Sequence, residues 1–264
     1  MMDIQIFQID AFTDDVFKGN PAAICPLEYW LNDDILQSIA SENNLSETAF
    51  FVKTDEIYYL RWFTPATEVD LCGHATLATA WVLFNIFDHT GPIDFQTRSG
   101  RLMVSQNHDY LQMDFPISPP QKCQPPRGLL SALAVESDTV LFAEDYFVVL
   151  ESEEDVANVN PDFNALAKIS MRGVAVTAPG NQVDFVSRWF GPAVGVNEDP
   201  VTGSSHTSLA PYWSEVLCKT KLTAKQISRR GGFLKCELIK DRVMISGKAV
   251  KFMQGILSVD VGDD

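Results

Sequence analysis

The chain is poor in positive charge. Among 264 residues, Lys and Arg number 20 against 35 Asp and Glu, giving a formal net charge of −15. That imbalance excludes a nucleic-acid or anionic-membrane partner, because either would need a basic surface. It also means that an anionic ligand must be attracted by a local feature. The five cysteines form no CxxC pair and are odd in number, which argues for free thiols in a reducing compartment. The opening MMDIQIFQIDAF has no basic segment followed by an apolar core, so a secretory leader is not expected. The longest strongly apolar run, 75–87, is too short to cross a bilayer. A soluble cytoplasmic protein is the expectation.

Several chemistries are missing too. There is no Rossmann or Walker pattern, so no cofactor is expected. TGSSH is not a G-x-S-x-G elbow. Cys72-x-His74 has no second ligand pair at matching spacing, and His89, His108 and His206 are scattered, so no metal is expected either.

What is present is a repeat. Residues 61–66 read RWFTPA and residues 188–193 read RWFGPA. Downstream, each copy reaches a glycine, Gly73 or Gly203, that opens an apolar segment rich in small and hydroxyl residues. Farther on, Arg98-Ser-Gly-Arg-Leu102 is answered by Arg230-Gly-Gly-Phe-Leu234. Three matches in one order indicate a duplicated module of roughly 110 residues, too long a period for a solenoid. The proline-rich stretch 116–128 reads as the link. The halves are therefore expected at 1–117 and 118–264, with the final GILSVDVGDD a candidate to return as a strand to the first.

Within a half the pattern is mostly strand: DIQIFQI, AFFVK, IYYLRWF, RLMVSQ and YLQMDF are short, rich in β-branched and aromatic residues, and bounded by turns. A helix is expected at about 33–42, capped by Asn32 or Asp33. Another begins after Gly73, apolar on nearly every face, which implies that sheet surrounds it. Its counterpart runs from Ser204 to about Leu217, with Pro211 kinking it. The fold class is thus α+β, with two similar domains.

A helix start offers unpaired N–H groups and the positive end of a dipole. Gly73 and Gly203 would admit a ligand close to such starts, with His74 and Ser204 adding side-chain hydrogen bonds. Two such starts at a domain interface would hold a small carboxylated molecule. Ordinary capping of two buried helices is the plainer alternative.

LSETAFF (45–51), DLCGHATLA (70–78), NEDPVTGSSHTSLAPYW (197–213) and DAFTDDVFKGNPAAI (10–24) resemble the signature segments of the PhzF-like family, named for phenazine biosynthesis protein F, in the diaminopimelate epimerase fold. The resemblance implies two domains, each a curved, mostly antiparallel or mixed sheet around a central helix, with the active site in the cleft between them. It also implies a cofactor-independent isomerase, in which the acid/base that shifts a proton within a small unsaturated acid is Glu47. Residue by residue, His74, Asp199 and Ser204 match further site positions. His74 would bond the substrate carboxylate or the shifting π-system, Asp199 would orient polar groups or hold a neighbour's protonation, and Ser204 would donate to a carboxylate. Cys72, Gly73, Thr202 and Gly203 would line the binding site. On residues alone, a solvated Glu47, a turn at Asp199-Pro200 and an N-cap at Ser204 are equally available.

The epimerase branch of that fold uses two thiols. Here Cys72-Gly73-His74 aligns with Thr202-Gly203-Ser204, so one thiol is replaced by a hydroxyl that cannot become the matching nucleophile or base. A non-catalytic acid-binding protein and an amino-acid racemase or epimerase remain alternatives. A homodimer is the base-rate expectation for a soluble enzyme.

Overall fold

The computed structural model describes residues 1–260. The chain divides into two compact units: Met1–Asp114 with the chain from Ser246 onward, and Phe115–Ile245. Each is taken by itself.

Unit 1 begins with β1 (Met2–Ala11), β2 (Asn20–Leu27), α1 (Asp33–Asn43), β3 (Glu47–Thr54) and β4 (Ile57–Phe63). The short β5 (Glu68–Val69), α2 (Gly73–Asn85), β6 (Ile93–Thr97), β7 (Gly100–Asn107) and β8 (Tyr110–Pro116) follow. β1 and β2 are antiparallel, β2 and β3 parallel, and β3 and β4 antiparallel. β4 then takes β5 antiparallel and β6 parallel, and β6–β7–β8 is a meander. All five strand segments read from the sequence lie in this sheet. β2 escapes such a reading because NPAAICPL carries two prolines, which ordinarily demote a strand. Pro26 is tolerated because the register with β1 stops at Ile24.

Two helices use the two sheet faces. Asn32 caps α1 as expected, its Oδ1 accepting from Asp34 N at 3.0 Å. Leu36, Ile39 and Ala40 pack with Phe50, Val52 and Phe63. From Gly73 to Ala80 every residue of α2 is buried, and Val82 and Leu83 follow. The first two turns of this helix have no solvent face, as their uniform apolarity requires.

Unit 2 repeats this grammar. It contains β9 (Gln121–Lys122), α3 (Leu129–Leu133), β10 (Val140–Phe142), β11 (Tyr146–Val149), α4 (Glu153–Asn158) and α5 (Phe163–Leu166). Next come β12 (Val174–Pro179), β13 (Phe185–Gly191), a 3₁₀ turn at Pro192–Val194, β14 (Val196–Asp199), α6 (His206–Leu217), β15 (Lys221–Gln226), β16 (Gly232–Ile239) and β17 (Arg242–Gly247). β11 and β12 are parallel, β12 and β13 antiparallel; β13 then takes short β14 antiparallel and β15 parallel, and β15–β16 is a hairpin. Strand for strand this is the order of β2 through β7. The fold class is α+β with two similar domains, as the repeat implies.

Three details differ from the sequence reading. The stretch 116–128 is not a bare link: Gln121–Lys122 pairs with β10, and Ile117 N donates to Asp241 O. β18 (Ala249–Val259) runs antiparallel to β1, from Ala11↔Ala249 to Met2↔Val259, so the strand begins ahead of Gly255, where the candidate returning stretch starts. The last four residues, 261–264, lie outside the described part. Finally, α6 starts at His206, because Gly203, Ser204 and Ser205 form tight i→i+3 bonds ahead of it. Pro211 lies inside α6, which runs on to Leu217. A proline there withholds the N–H that Thr207 O would receive, and Ser118 N supplies it instead at 3.0 Å.

The start of β2 is fixed by Gly19. Its φ is +63°, and a Cβ there would sit 2.1 Å from Ala11 O. Gly19→Ala is expected to destabilise unit 1 by at least about 2 kcal/mol, through the left-handed backbone and the clash together, as measured by the urea midpoint.

Candidate active site

In unit 1 the sequence-predicted residues converge. Glu47 is the first residue of β3, and His74 is the second of α2. The two meet because both elements pack beside β2. His74 Nε2 lies 3.0 Å from Glu47 Oε2. The His74 side chain is buried, and the Glu47 side chain is only 17% exposed. This overturns the solvated-connector reading of Glu47. Although close, the two atoms are not aligned as a hydrogen bond, and each lacks a well-directed partner. Two buried polar atoms left in this condition cost stability unless something else engages them.

The other ring nitrogen, Nδ1, faces Cys72 Sγ at 3.5 Å and Asn20 Nδ2 at 3.2 Å. Burial works against a charged imidazole, while the Cys72 sulfur, once ionised, and the Glu47 carboxylate work for it; the net direction for His74 is well above its ordinary range. Burial also pushes the Cys72 thiol up, with Glu47 adding to the effect. The sulfur is therefore a neutral neighbour near pH 7. Asn20 was not singled out in the sequence. With its amide nitrogen on Nδ1 it serves a neutral ring; a half-turn presents the amide oxygen to an imidazolium. Gly19 and the β1–β2 register put it there.

Glu47, Cys72 and His74 bring ligand-type atoms within 4.8 Å of one another. Their contacts run to opposite nitrogens of one ring, however, which makes a row across the ring instead of a point on which ligands converge.

Unit 2 assembles the remaining residues. Thr202 Oγ1 donates to Asp199 Oδ2 at 2.5 Å. Gln226, fully buried, accepts from Thr202 N at 2.9 Å and donates to Asp199 O at 2.7 Å and Thr202 Oγ1 at 3.2 Å. Thr202 thus spends its polar groups inside the fold, which weakens the expectation that it lines a binding site. Gln226 holds this turn and was invisible in the sequence, because its partners lie 24 and 27 residues away. Ser204, half-buried, has Arg172 Nη1 at 3.4 Å and Nη2 at 3.5 Å from its Oγ. The structure describes no side-chain cap by Ser204 on α6.

His206 is structural. Its Nδ1 donates to Thr202 O at 2.9 Å. Burial lowers it to about 4 from 6.5, although the Thr202 bond opposes this. A depressed histidine costs stability wherever the unfolded chain protonates first. Its contribution is intact above pH 6.5 and falls as the pH drops toward 4. His206→Gln should flatten that segment of the stability curve, removing up to about 3 kcal/mol of pH dependence. In an NMR titration His206 should be the ring that protonates near pH 4 while His74 stays protonated above the normal histidine range.

No helix among the described residues is long and apolar enough to cross a membrane. The pattern of the phenazine biosynthesis-like protein family, PhzC-PhzF, matches residues 9–255. An uncharacterised isomerase of Pseudomonas aeruginosa is 58% identical over 97% of this chain and 99% of its own. The crystal structure of a PhzF-family phenazine biosynthesis protein from Enterococcus faecalis superposes with a TM-score of 0.95 at 48% identity, covering 98% of this chain and all of the other. A probable proline racemase from Agrobacterium radiobacter, 8% identical, shares the fold alone, with a TM-score of 0.65 over 97% and 93% of the two chains. The chain therefore belongs to the phenazine biosynthesis-like family, and it is an isomerase of that family.

Proposed function

We propose that the protein moves a proton between two carbons of a small unsaturated carboxylic acid, with Glu47 as the acid/base. The observation that carries this reading is the 3.0 Å approach of Glu47 to His74 at the tip of α2, without hydrogen-bond alignment, among buried neighbours. A base that must take a proton and give it back needs a partner that accepts the change of charge. His74 is that partner. While the ring is an imidazolium it favours an ionised Glu47, ready to remove a proton from an activated C–H. Once Glu47 holds the proton, the imidazolium and the first N–H groups of α2 face the negative charge spread over the dienolate. Return of the proton at the allylically related carbon completes the shift, and no other reagent is consumed.

The single thiol argues against epimerisation by paired cysteines. Cys72 is buried and held protonated, and its counterpart Thr202 is committed to Asp199. Cys72 is instead a neighbour that shapes the ring's surroundings. The substrate acid, its binding by the two halves and the independence from any cofactor are parts of this proposal.

The test is an exchange experiment in deuterated water on cyclic and linear unsaturated acids, mapped by NMR. Deuterium should enter at two allylically related carbons. Glu47→Gln should slow that exchange by about 10²- to 10⁴-fold while leaving ligand affinity within a few-fold. Label at one stereocentre only, or exchange that survives in Glu47→Gln, would overturn the reading.

A further inference from the structure

The strand registers align the two halves residue by residue. Thr48 pairs with Phe63 in unit 1, and Val174 with Phe190 in unit 2. Glu47 therefore corresponds to Gly173, and Ser46 to Arg172. A Cβ on Gly173 would lie 2.1 Å from the Trp189 indole, so that ring takes the space of the carboxylate. On the other side of the same strands Ala23 pairs with Thr48, and Tyr146 with Val174. Three residues back, Asn20 corresponds to Ala143, while His74 corresponds to Ser204. At these places the second half has neither carboxylate, nor imidazole, nor amide. We infer that Asn20 is the positioning residue of the acid/base pair: its amide bonds Nδ1 of His74 in either charge state of the ring, and so keeps a hydrogen on Nε2, where Glu47 lies. The inference rests on the isomerase reading of Glu47.

Asn20 is wholly buried, with Nδ2 at 3.2 Å from Nδ1 of the ring. Two titratable groups face the ring: Glu47 Oε2 at 3.0 Å from Nε2, and Cys72 Sγ at 3.5 Å from Nδ1. A neutral imidazole carries one hydrogen, on one nitrogen or the other. On Nδ1 it would meet the N–H of the amide, and the bare lone pair of Nε2 would face the carboxylate. On Nε2 both contacts become attractive. When the ring takes its second hydrogen, on Nδ1, the amide turns over and offers its oxygen. An aspartate in this place would only accept and would pin the cation; a leucine would offer nothing. The thiol can donate to the same nitrogen, but weakly. An amide thus serves a ring that answers a base whose charge changes during the reaction.

The backbone ahead of Asn20 is built to hold it. In the loop between β1 and β2, Phe12, Phe17 and Gly19 have φ of 63°, 71° and 63°, a region that bulky residues rarely enter. Phe12 is fully buried, but Phe17 is 68% exposed, so burial does not explain its conformation. The Asp10 carboxylate does. Asp10 is 1% exposed, and its Oδ2 accepts from Phe17 N at 2.9 Å. Strain that the surroundings impose in this way is concentrated where a functional group must be placed. The group delivered at the end of this loop is the Asn20 amide.

The test reads the ring nitrogens of His74 by NMR in nitrogen-15-labelled protein, alongside the exchange assay. The wild type, titrated until His74 is neutral, should carry the ring hydrogen on Nε2. Asn20→Leu should mix the two tautomers and lower kcat for exchange by about 10- to 100-fold, with KM within a few-fold. Asn20→Asp, close to isosteric, keeps the acceptor and loses the donor. It should hold the ring cationic at a pH where the wild-type ring is neutral, and kcat should fall again. A wild-type ring with its hydrogen on Nδ1, or tautomers unmoved in Asn20→Leu, would overturn the inference; the first of these needs no variant to fold. Exchange that survives in Glu47→Gln would instead sink the isomerase reading, and the tautomers would still report on Asn20.

Discussion

The repeated hexapeptide owes its form to one ion pair used twice. Arg61 grips Glu68 with Nε–Oε1 at 2.7 Å and Nη2–Oε2 at 2.8 Å. Arg188 grips Glu198 in the same way, at 2.7 and 3.0 Å. In each half the arginine also lies over the phenylalanine two residues on, at 5.1 and 5.0 Å. The forks tie the short strands β5 and β14 to the long strands β4 and β13. A two-residue strand such as β5 cannot hold itself by ladder hydrogen bonds, and a bidentate, partly buried fork supplies direction as well as attraction. Just beyond each short strand the chain turns into Cys72-Gly73-His74 or Thr202-Gly203-Ser204. The position of each helix opening against its sheet therefore depends on Arg61 and Arg188.

On this shared frame the two copies diverge in chemistry. The first presents a carboxylate and an imidazole, with Asn20 and Cys72 flanking the ring. The second fills the carboxylate's position with an indole and moves an arginine to the adjacent residue. Divergence of this kind keeps the backbone and exchanges its side chains, which is how one fold comes to host different roles in its two halves. The tryptophan of the hexapeptide shows it well: Trp62 is apolar filling, whereas Trp189 is both filling and a donor to the buried Asp145.

What could be read from the sequence was whatever repeats or alternates locally. The duplication, the α+β class, the first-half strands, α1 with its Asn32 cap, and the buried α2 all follow from period, capping chemistry and turn residues. The hairpin matches at Arg98 and Arg230 are real equivalents, placed at the β6–β7 and β15–β16 turns. Glu47 and His74 were visible as residues, but only the fold shows that 27 positions of chain close to 3.0 Å. The missed residues share a cause. Asn20, Asp145, Arg172 and Gln226 act on partners 24 to 54 residues away, and nothing in their own neighbourhood marks them. β2 was hidden because its prolines obey a register set by other strands. The late start of α6 reflects competition that composition cannot rank: Ser204 and Ser205 suit a cap and a tight turn equally well.

Why we propose as acid/base the glutamate next to a histidine, and not the thiol beside it, follows from charge. Removing a proton from carbon requires an anion that exists before substrate arrives. A thiol at the same helix opening could serve only as thiolate, and there burial and the Glu47 charge oppose ionisation together. The adjacent imidazole stands in the opposite sense, since its protonated form is the one the surroundings favour. The surroundings thus favour a neutral thiol and a cationic ring. In the proposed reaction the 3.0 Å approach of His74 Nε2 to Glu47 Oε2 would let the ring answer the carboxylate's change of charge, while the second carboxylate oxygen stays open to a carbon-bound proton.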